Sequence, residues 1–137
     1  MVQKLSGGCV CEAIRYEAHA APVLMLNCHC RDCQQASGSA YAATVVLPRK
    51  AVQFTGELRY HRRIGNAGKA VDRGFCAACG SPIALTLERL PDLIALHAAS
   101  LDDPSLYKPA MDIFTASAQA WDHMHPDLPK RPQGIQG

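Results

Sequence analysis

The seven cysteines of this 137-residue chain fall into three groups: Cys9 and Cys11 in GGCVC, Cys28, Cys30 and Cys33 in CHCRDC, and Cys76 and Cys79 in FCAACGS. The last pair is a zinc-knuckle signal. Two residues between the cysteines let a tight turn present both sulfurs to one ion, and Gly80, lacking a Cβ, can take positive φ as the turn closes. A knuckle supplies two of the four ligands that a structural zinc needs. Cys9 and Cys11, read as residues i and i+2 of a strand, share one face and complete a four-cysteine set, its sulfurs expected ~3.8 Å apart at a Zn–S distance of ~2.3 Å. A redox pair of the thioredoxin kind would need a helix opening at the CxxC within an α/β pattern, and the sequence has neither.

Cys28, Cys30 and Cys33 then stand as a second set. The chain leaves a strand at Cys28 and begins a helical turn whose Cys33 can fold back, so three thiolates can meet one ion. Three protein ligands with a fourth place open are the pattern of a catalytic zinc. Three thiolates on a dication leave a formal charge of about −1, which makes a weak Lewis acid but one that accepts a further thiol and binds it deprotonated. The chemistry points to a thiol substrate. His29 turning inward would instead close a second structural site, and Cys30 with Cys33 could form a labile disulfide with no metal. His29 lies between two cysteines that share a direction, so its ring is expected to point away from the ion. Arg31 and His29, beside the anionic set, are candidates for binding a substrate carboxylate or moving a proton. His123 and His125 in HMH are expected at the surface, His61 and His97 to be satisfied by hydrogen bonds within strands, and Trp121 to pack on the sheet or line a pocket mouth.

Short strands must position these groups. VCEAIRY (10–16) alternates, with Val10, Ile14 and Tyr16 on one side and Cys9, Cys11 and Arg15 on the other. VLMLN, AATVVL, AVQF, LRYHR, PIALTL and LIALHA are similar runs bounded by Pro, Gly or polar clusters, and a last strand is expected around MDIFTAS. IGNAGK (64–69), with Asn66 and two glycines, should turn one strand into the next. The one good helix is short, residues 31–37, stopped by Gly38 as its C-terminal cap. The stretch DDPSLYKP reads as turns, and the final DLPKRPQGIQG should lie on the surface or fray. The pattern is that of a mainly β domain spanning 1–137 with its core over about 5–125, without the βαβ rhythm or G-x-G-x-x-G of a dinucleotide fold.

Composition narrows the class further. Apolar residues reach 48% but aromatics only 6%, so the core is built from small and branched side chains and needs a staple. The net charge of +2 arises from 14 basic and 12 acidic residues with no run of like charges, which argues against a nucleic-acid partner. MVQKLSGGC lacks the ~7–15 apolar residues of a signal peptide, and no stretch approaches the ~18–20 of a membrane span, so a soluble, cytoplasmic protein is expected. In a reducing compartment an odd number of cysteines reads as metal ligands rather than a disulfide framework.

The order GGCVC, CHCRDCQQASGSAY, FCAACGSPI, ASLDDP and IFTASAQAWDHMHPDLP, covering nearly the whole chain, resembles the family of glutathione-dependent formaldehyde-activating enzymes and centromere protein V. The resemblance implies a β-rich, Mss4-like zinc fold. It implies a structural zinc on Cys9, Cys11, Cys76 and Cys79, and a second, more labile zinc on Cys28, Cys30 and Cys33 where glutathione is expected to bind. The activity implied is that of a carbon–sulfur lyase, joining glutathione and formaldehyde in S-hydroxymethylglutathione or running that step backward. Two residues depart from the family pattern: Glu12 stands where Gly usually follows the second cysteine, and Ala120 where Pro often precedes the late Trp. The rival expectations are a zinc-stapled module that binds a protein partner, and a thiol or zinc redox sensor without turnover. A chromatin- or microtubule-binding module would be expected to carry a basic, disordered extension, and this sequence contains no basic run.

Overall fold

Ten short strands and one helix organise residues 4–65 and 67–135, the part of the chain that the computed structural model describes. Asn66 of the predicted 64–69 turn lies outside the described residues. The strands are β1 (Leu5–Gly8), β2 (Arg15–Ala18), β3 (Leu24–Cys28), β4 (Ala42–Pro48), β5 (Val52–Thr55), β6 (Arg59–Ile64), β7 (Ala70–Phe75), β8 (Pro82–Leu87), β9 (Leu90–His97) and β10 (Met111–Ile113). The helix α1 (Arg31–Ser37) has the bounds that its sequence predicts, with Gly38 as a left-handed C-cap at φ 69° whose N–H meets Gln34 O at 2.9 Å. A three-stranded sheet has the order β1-β2-β5 and a seven-stranded sheet the order β10-β3-β4-β9-β8-β7-β6. All pairings are antiparallel except β10 on β3, which sets Asp112 beside Asn27 and Ile113 beside Cys28. The architecture is mainly β and consistent with an Mss4-like fold, as the short apolar runs indicate. No helix among the described residues is long and apolar enough to cross a membrane.

The main core lies where the two sheets meet, with Leu5, Ile14 and Tyr16 packed against Val45, Leu47, Ile83 and Leu96. Small and branched residues dominate it, and the one aromatic pair is Tyr16 edge-on to Phe54 at 5.9 Å. Tyr16 also reaches Ser100 Oγ at 2.6 Å, and Arg15 donates twice to Asp102 (2.9 and 2.5 Å), so β2 is tied to the ASLDDP segment. A second cluster, Leu26, Cys28, Cys33, Ala42 and Ile113, lies beneath α1.

The structure corrects three expectations. Only the end of the run 10–16 is a strand: residues 9–14 form the loop that joins β1 to β2, which begins at Arg15, and Val10 is 88% exposed. In this loop the amides serve the cysteines instead of a ladder, Ile14 N–H pointing at Cys9 Sγ (3.2 Å) and Val10 N–H at Ser81 Oγ (3.2 Å). Strands β1 and β7 have no counterpart among the predicted runs, because LSGG and AVDRGF carry glycine and charge where alternation should show; pairing with their neighbours overrides that weak local signal. The described part of the C-terminal segment, residues 127–135, lies largely on the surface, as one arm of its expectation has it, but is held by the backbone and not frayed. Pro129 O accepts from Asp112 N–H (2.9 Å), Arg131 N–H donates to Asp112 O (2.9 Å) and Gln133 O accepts from Phe114 N–H (2.8 Å), which lays the tail along β10.

The departure at Glu12 has a conformational meaning. Glu12 sits at φ 67°, the left-handed region that glycine enters freely and other residues enter at a cost of about 1–2 kcal/mol. Glu12→Gly should therefore stabilise the fold by about 0.5–1 kcal/mol after glycine's greater unfolded-state freedom is subtracted. A rise of about 2–4 °C in thermal midpoint, followed by circular dichroism, is the expected readout; an unchanged or lower midpoint would mean that the Glu12 side chain offsets the strain.

Candidate metal centres and the adjoining cleft

Cys9 and Cys11 come from the β1–β2 loop and Cys76 and Cys79 from the turn after β7. Their four sulfurs lie within 4.8 Å of one another. The separations Cys9–Cys11 (3.6 Å) and Cys11–Cys76 (3.7 Å) are close to the ~3.8 Å of a tetrahedral thiolate set. Gly80 closes the knuckle at φ 79°, its N–H on Cys76 O at 2.8 Å. Hydrogen bonds from the Ser81 hydroxyl and backbone hold the Cys79 thiol down to about 5. Four converging sulfurs, one already favoured as thiolate, suit a soft divalent cation.

The second set is built over the β3–α1 junction. Cys28 ends β3, Cys30 is the N-cap of α1 and Cys33 lies in its first turn, with Cys33 N–H on Cys30 Sγ at 3.3 Å. The three sulfurs also lie within 4.8 Å of one another, and among the described residues no further His, Cys, Asp or Glu joins them. Cys28 and Cys33 are buried, and Cys30 is half-buried. Hydrogen bonds with Cys28 and Cys33, joined by the Cys33 N–H and the charge of Arg73, pull Cys30 down to about 2, while the same neighbours and burial push Cys28 far up. Three thiols so close cannot all ionise against one another; a cation among them would relieve that repulsion.

His29, between two of these cysteines, faces the other way. Its ring is fully buried, Nδ1 at 2.6 Å from Asp122 Oδ2 and Nε2 at 2.8 Å from Asp112 Oδ1. Asp112 further accepts from Asn27 Nδ2 (3.1 Å) and Lys130 Nζ (3.1 Å), and Asn27 Oδ1 accepts from Tyr107 Oη (2.5 Å). Burial raises the Asp112 carboxyl, but the bonds from His29, Lys130 and Asn27 outweigh it and hold the group below the usual carboxylate range. With a carboxylate on each nitrogen, His29 has none left for a substrate. It anchors the backbone between Cys28 and Cys30, a task shared with Gln34, whose Nε2 donates to His29 O at 2.8 Å.

Arg31 donates to Gln34 Oε1 and lines a separate groove with Gln34, Gln35, Gly38, Ser39 and Trp121. Trp121, 61% exposed, stands at that groove as expected. The charge beside the cysteines comes from a residue that the sequence reading missed, Arg73 of β7. Its Nη2 lies 3.7 Å from Cys33 Sγ, and its Nη1 is buried with no hydrogen-bond partner. Next to it opens a cleft of about 210 Å³ lined by Ala36, Arg73, Gly74, Phe75, Gly80, Pro82 and His97. His97 is buried and pushed down to about 4 by burial and by the Arg73 charge. The expectation of hydrogen-bonded strand histidines fails for both: His97 has no side-chain partner among the described residues, and His61 is exposed on β6. His123 and His125 are exposed, as expected. A charged residue three positions before a knuckle cysteine was the one sequence signal that could have drawn attention to Arg73.

Residues 4–117, a stretch that holds all seven cysteines together with Arg73 and His97, match the family model described as glutathione-dependent formaldehyde-activating enzyme. A crystal structure of a Rhodobacter sphaeroides protein superimposes with a TM-score of 0.59 at 18% identity, over 76% of this chain and 96% of that one, a likeness of fold. No curated protein matches the chain at a significant level.

Proposed function

Since the chain belongs to the glutathione-dependent formaldehyde-activating enzyme family, we propose that it is a zinc-dependent carbon–sulfur lyase acting on a thiol–aldehyde adduct, with glutathione and formaldehyde, or S-hydroxymethylglutathione, as the first pair to try. The observation that carries this reading is the cluster of three sulfurs with no fourth protein ligand among the described residues, set beside a guanidinium with a free nitrogen. Cys9, Cys11, Cys76 and Cys79 would hold one zinc as a staple, and Cys28, Cys30 and Cys33 a second with an open place. When bound there, zinc supplies a Lewis acid that favours the deprotonated form of an incoming thiol.

The chain's own residues set the charge and the positions around the reacting thiol. In the addition, the thiol sulfur forms a bond to the aldehyde carbon, the carbonyl π pair moves to oxygen, and the proton lost by sulfur ends on that oxygen; the lyase direction reverses each step. Arg73 places fixed positive charge against the sulfur cluster, offsetting the formal excess of three thiolates and favouring a further anion there. Asp112, Asp122 and Gln34 hold His29, and through it the spacing of Cys28 and Cys30. Arg31 is too engaged with Gln34 to serve as the first choice of donor.

Metal content per chain tests the reading. Protein purified without oxygen or added metal should carry two zincs, and Cys30→Ser should carry one while keeping its far-ultraviolet dichroism and losing hemithioacetal formation. One zinc in both proteins would remove the open site and favour a redox-sensing or partner-binding role for the same thiols.

A further inference from the structure

The three-cysteine cluster is anchored through a strand that has little support of its own. The His29 N–H donates to Ile113 O (3.0 Å) and the His29 ring meets Asp112, so the backbone between Cys28 and Cys30 takes its position from β10. That strand is three residues long, and β3 is its one partner among the named strands. Its other edge is bound by the segment after residue 117, where the stretch matched by the family model ends. Asp112 is gripped there three times: its N–H donates to Pro129 O (2.9 Å), its carbonyl accepts from Arg131 N–H (2.9 Å), and its Oδ2 accepts from Lys130 Nζ (3.1 Å). Lys130 Nζ also donates to His125 O (2.6 Å) and Leu128 O (2.9 Å), so all three N–H groups of the ammonium are used and residues 125–130 are knotted around one charge. From the same segment Asp122 Oδ2 meets His29 Nδ1 at 2.6 Å.

A strained residue points the same way. Phe114, which packs against the cluster that holds Cys28 and Cys33, sits at φ 55°, a left-handed conformation that a bulky side chain rarely enters. Such a conformation persists where its surroundings over-determine it. Here the Phe114 N–H is held by Gln133 O (2.8 Å), and the Thr115 and Ala116 N–H groups donate to Arg131 O and Pro132 O. Neither hydrophobic cluster contains a described residue beyond Phe114. The segment is fastened by polar bonds over a core that is complete without it, the kind of element that opens locally while the rest stays folded.

We propose that residues 118–135 form a strap that keeps the three-cysteine site assembled, with Lys130 the positioning residue that fastens it. Docked, the strap holds both carboxylates on His29, and with them the interval from Cys28 to Cys30. Released, it leaves β10 a bare edge strand and lets the three sulfurs drift apart. The inference rests on the reading of the cluster as a metal and thiol site only for its consequence, that chemistry there depends on a segment that contributes none of the sulfurs.

Alkylation with iodoacetamide, resolved cysteine by cysteine by mass spectrometry and with zinc counted in the same samples, tests the strap whether or not metal fills the cluster. In Lys130→Met, Cys28, Cys30 and Cys33 should react at least about tenfold faster than in the wild type, with Cys9, Cys11, Cys76 and Cys79 unchanged. Lys130→Arg, which returns a cation to Asp112, should recover most of the protection; a side chain that only filled space would be replaced as well by Met. Arg131→Pro removes the backbone N–H that Asp112 O accepts and leaves Lys130 in place. It should speed the same three cysteines, and it reads the same property if Lys130→Met does not hold its fold. Rates unchanged at the three cysteines, or raised alike at all seven, in both Lys130→Met and Arg131→Pro would overturn the strap, and Lys130→Arg reacting as fast as Lys130→Met would overturn the part given to Lys130. One zinc per wild-type chain, together with selective labelling in the variants, would keep the strap and remove the open metal site.

Discussion

Cys76→Ser is expected to yield a chain that does not hold its fold. Cys76 is buried and lies 3.7 Å from Cys11, a residue in a different sheet's loop, so the ion that these sulfurs would share joins β1 and β2 to β7 and β8. A structural zinc contributes roughly 10–16 kcal/mol of apparent binding free energy at neutral pH, as large as the ~5–15 kcal/mol that separates a folded domain from its unfolded chain. An aromatic-poor core leaves little else to compensate. Soluble yield, resistance to limited proteolysis and far-ultraviolet dichroism should all collapse together. A soluble, protease-resistant variant with unchanged zinc would remove Cys76 from the ligand set.

His29→Leu should be the next most damaging change, by a different route. Deleting the ring leaves the carboxylates of Asp112 and Asp122, 1% and 2% exposed, without the group that lies between them. Removing one partner of a buried hydrogen bond and leaving the other unsatisfied costs about 1–3 kcal/mol, more where the stranded group is charged. Lys130 remains on Asp112, so Asp122 is the carboxylate left unpaired. The double variant His29→Leu, Asp122→Leu should regain most of the loss, since apolar replacements of a whole buried pair are often tolerated. Urea denaturation of the three proteins checks the order. A single variant within about 1 kcal/mol of the wild type would show that the network contributes little, and zinc lost from Cys28, Cys30 and Cys33 alone would show that it positions them.

The grouping of the cysteines was readable because ligand spacing is local: CxxC with a following glycine, and three sulfurs across six residues. The helix was readable for the same reason, with Gly38 at its end. What the chain hid were the long-range partners. Alternation over residues 10–16 suggested a strand throughout, but up to Ile14 the Cys9 sulfur and Ser81 bind amides that a ladder would have used. Arg73 sits in AVDRGF, a run with no strand period, and its meaning appears once β7 pairs with β6 and β8 and aims it across at Cys33. His29 looked like a candidate donor because its neighbours in sequence are cysteines of the three-thiol set. Its partners, Asp112 and Asp122, lie 83 and 93 residues away, and an aspartate inside the apolar MDIF run was the clue that a buried hydrogen-bonding partner faced it.

The two cysteine sets differ in a respect that matters while the chain is still folding. Cys11 and Cys76 are 65 positions apart, whereas Cys28, Cys30 and Cys33 fit within one turn of chain. Closing a loop of the longer kind costs an unfolded chain roughly 2 kcal/mol more than closing one of five residues. Metal arriving early would therefore load the local trio first, and because an ion held by the unfolded state does not favour the native one, that loading adds little drive to fold. The distant quartet would close around a metal only once β1–β2 and β7–β8 are brought together. With metal bound it would act as a late latch, and the rate at which refolded protein becomes resistant to a chelator should track closure of that latch and not occupancy of the trio.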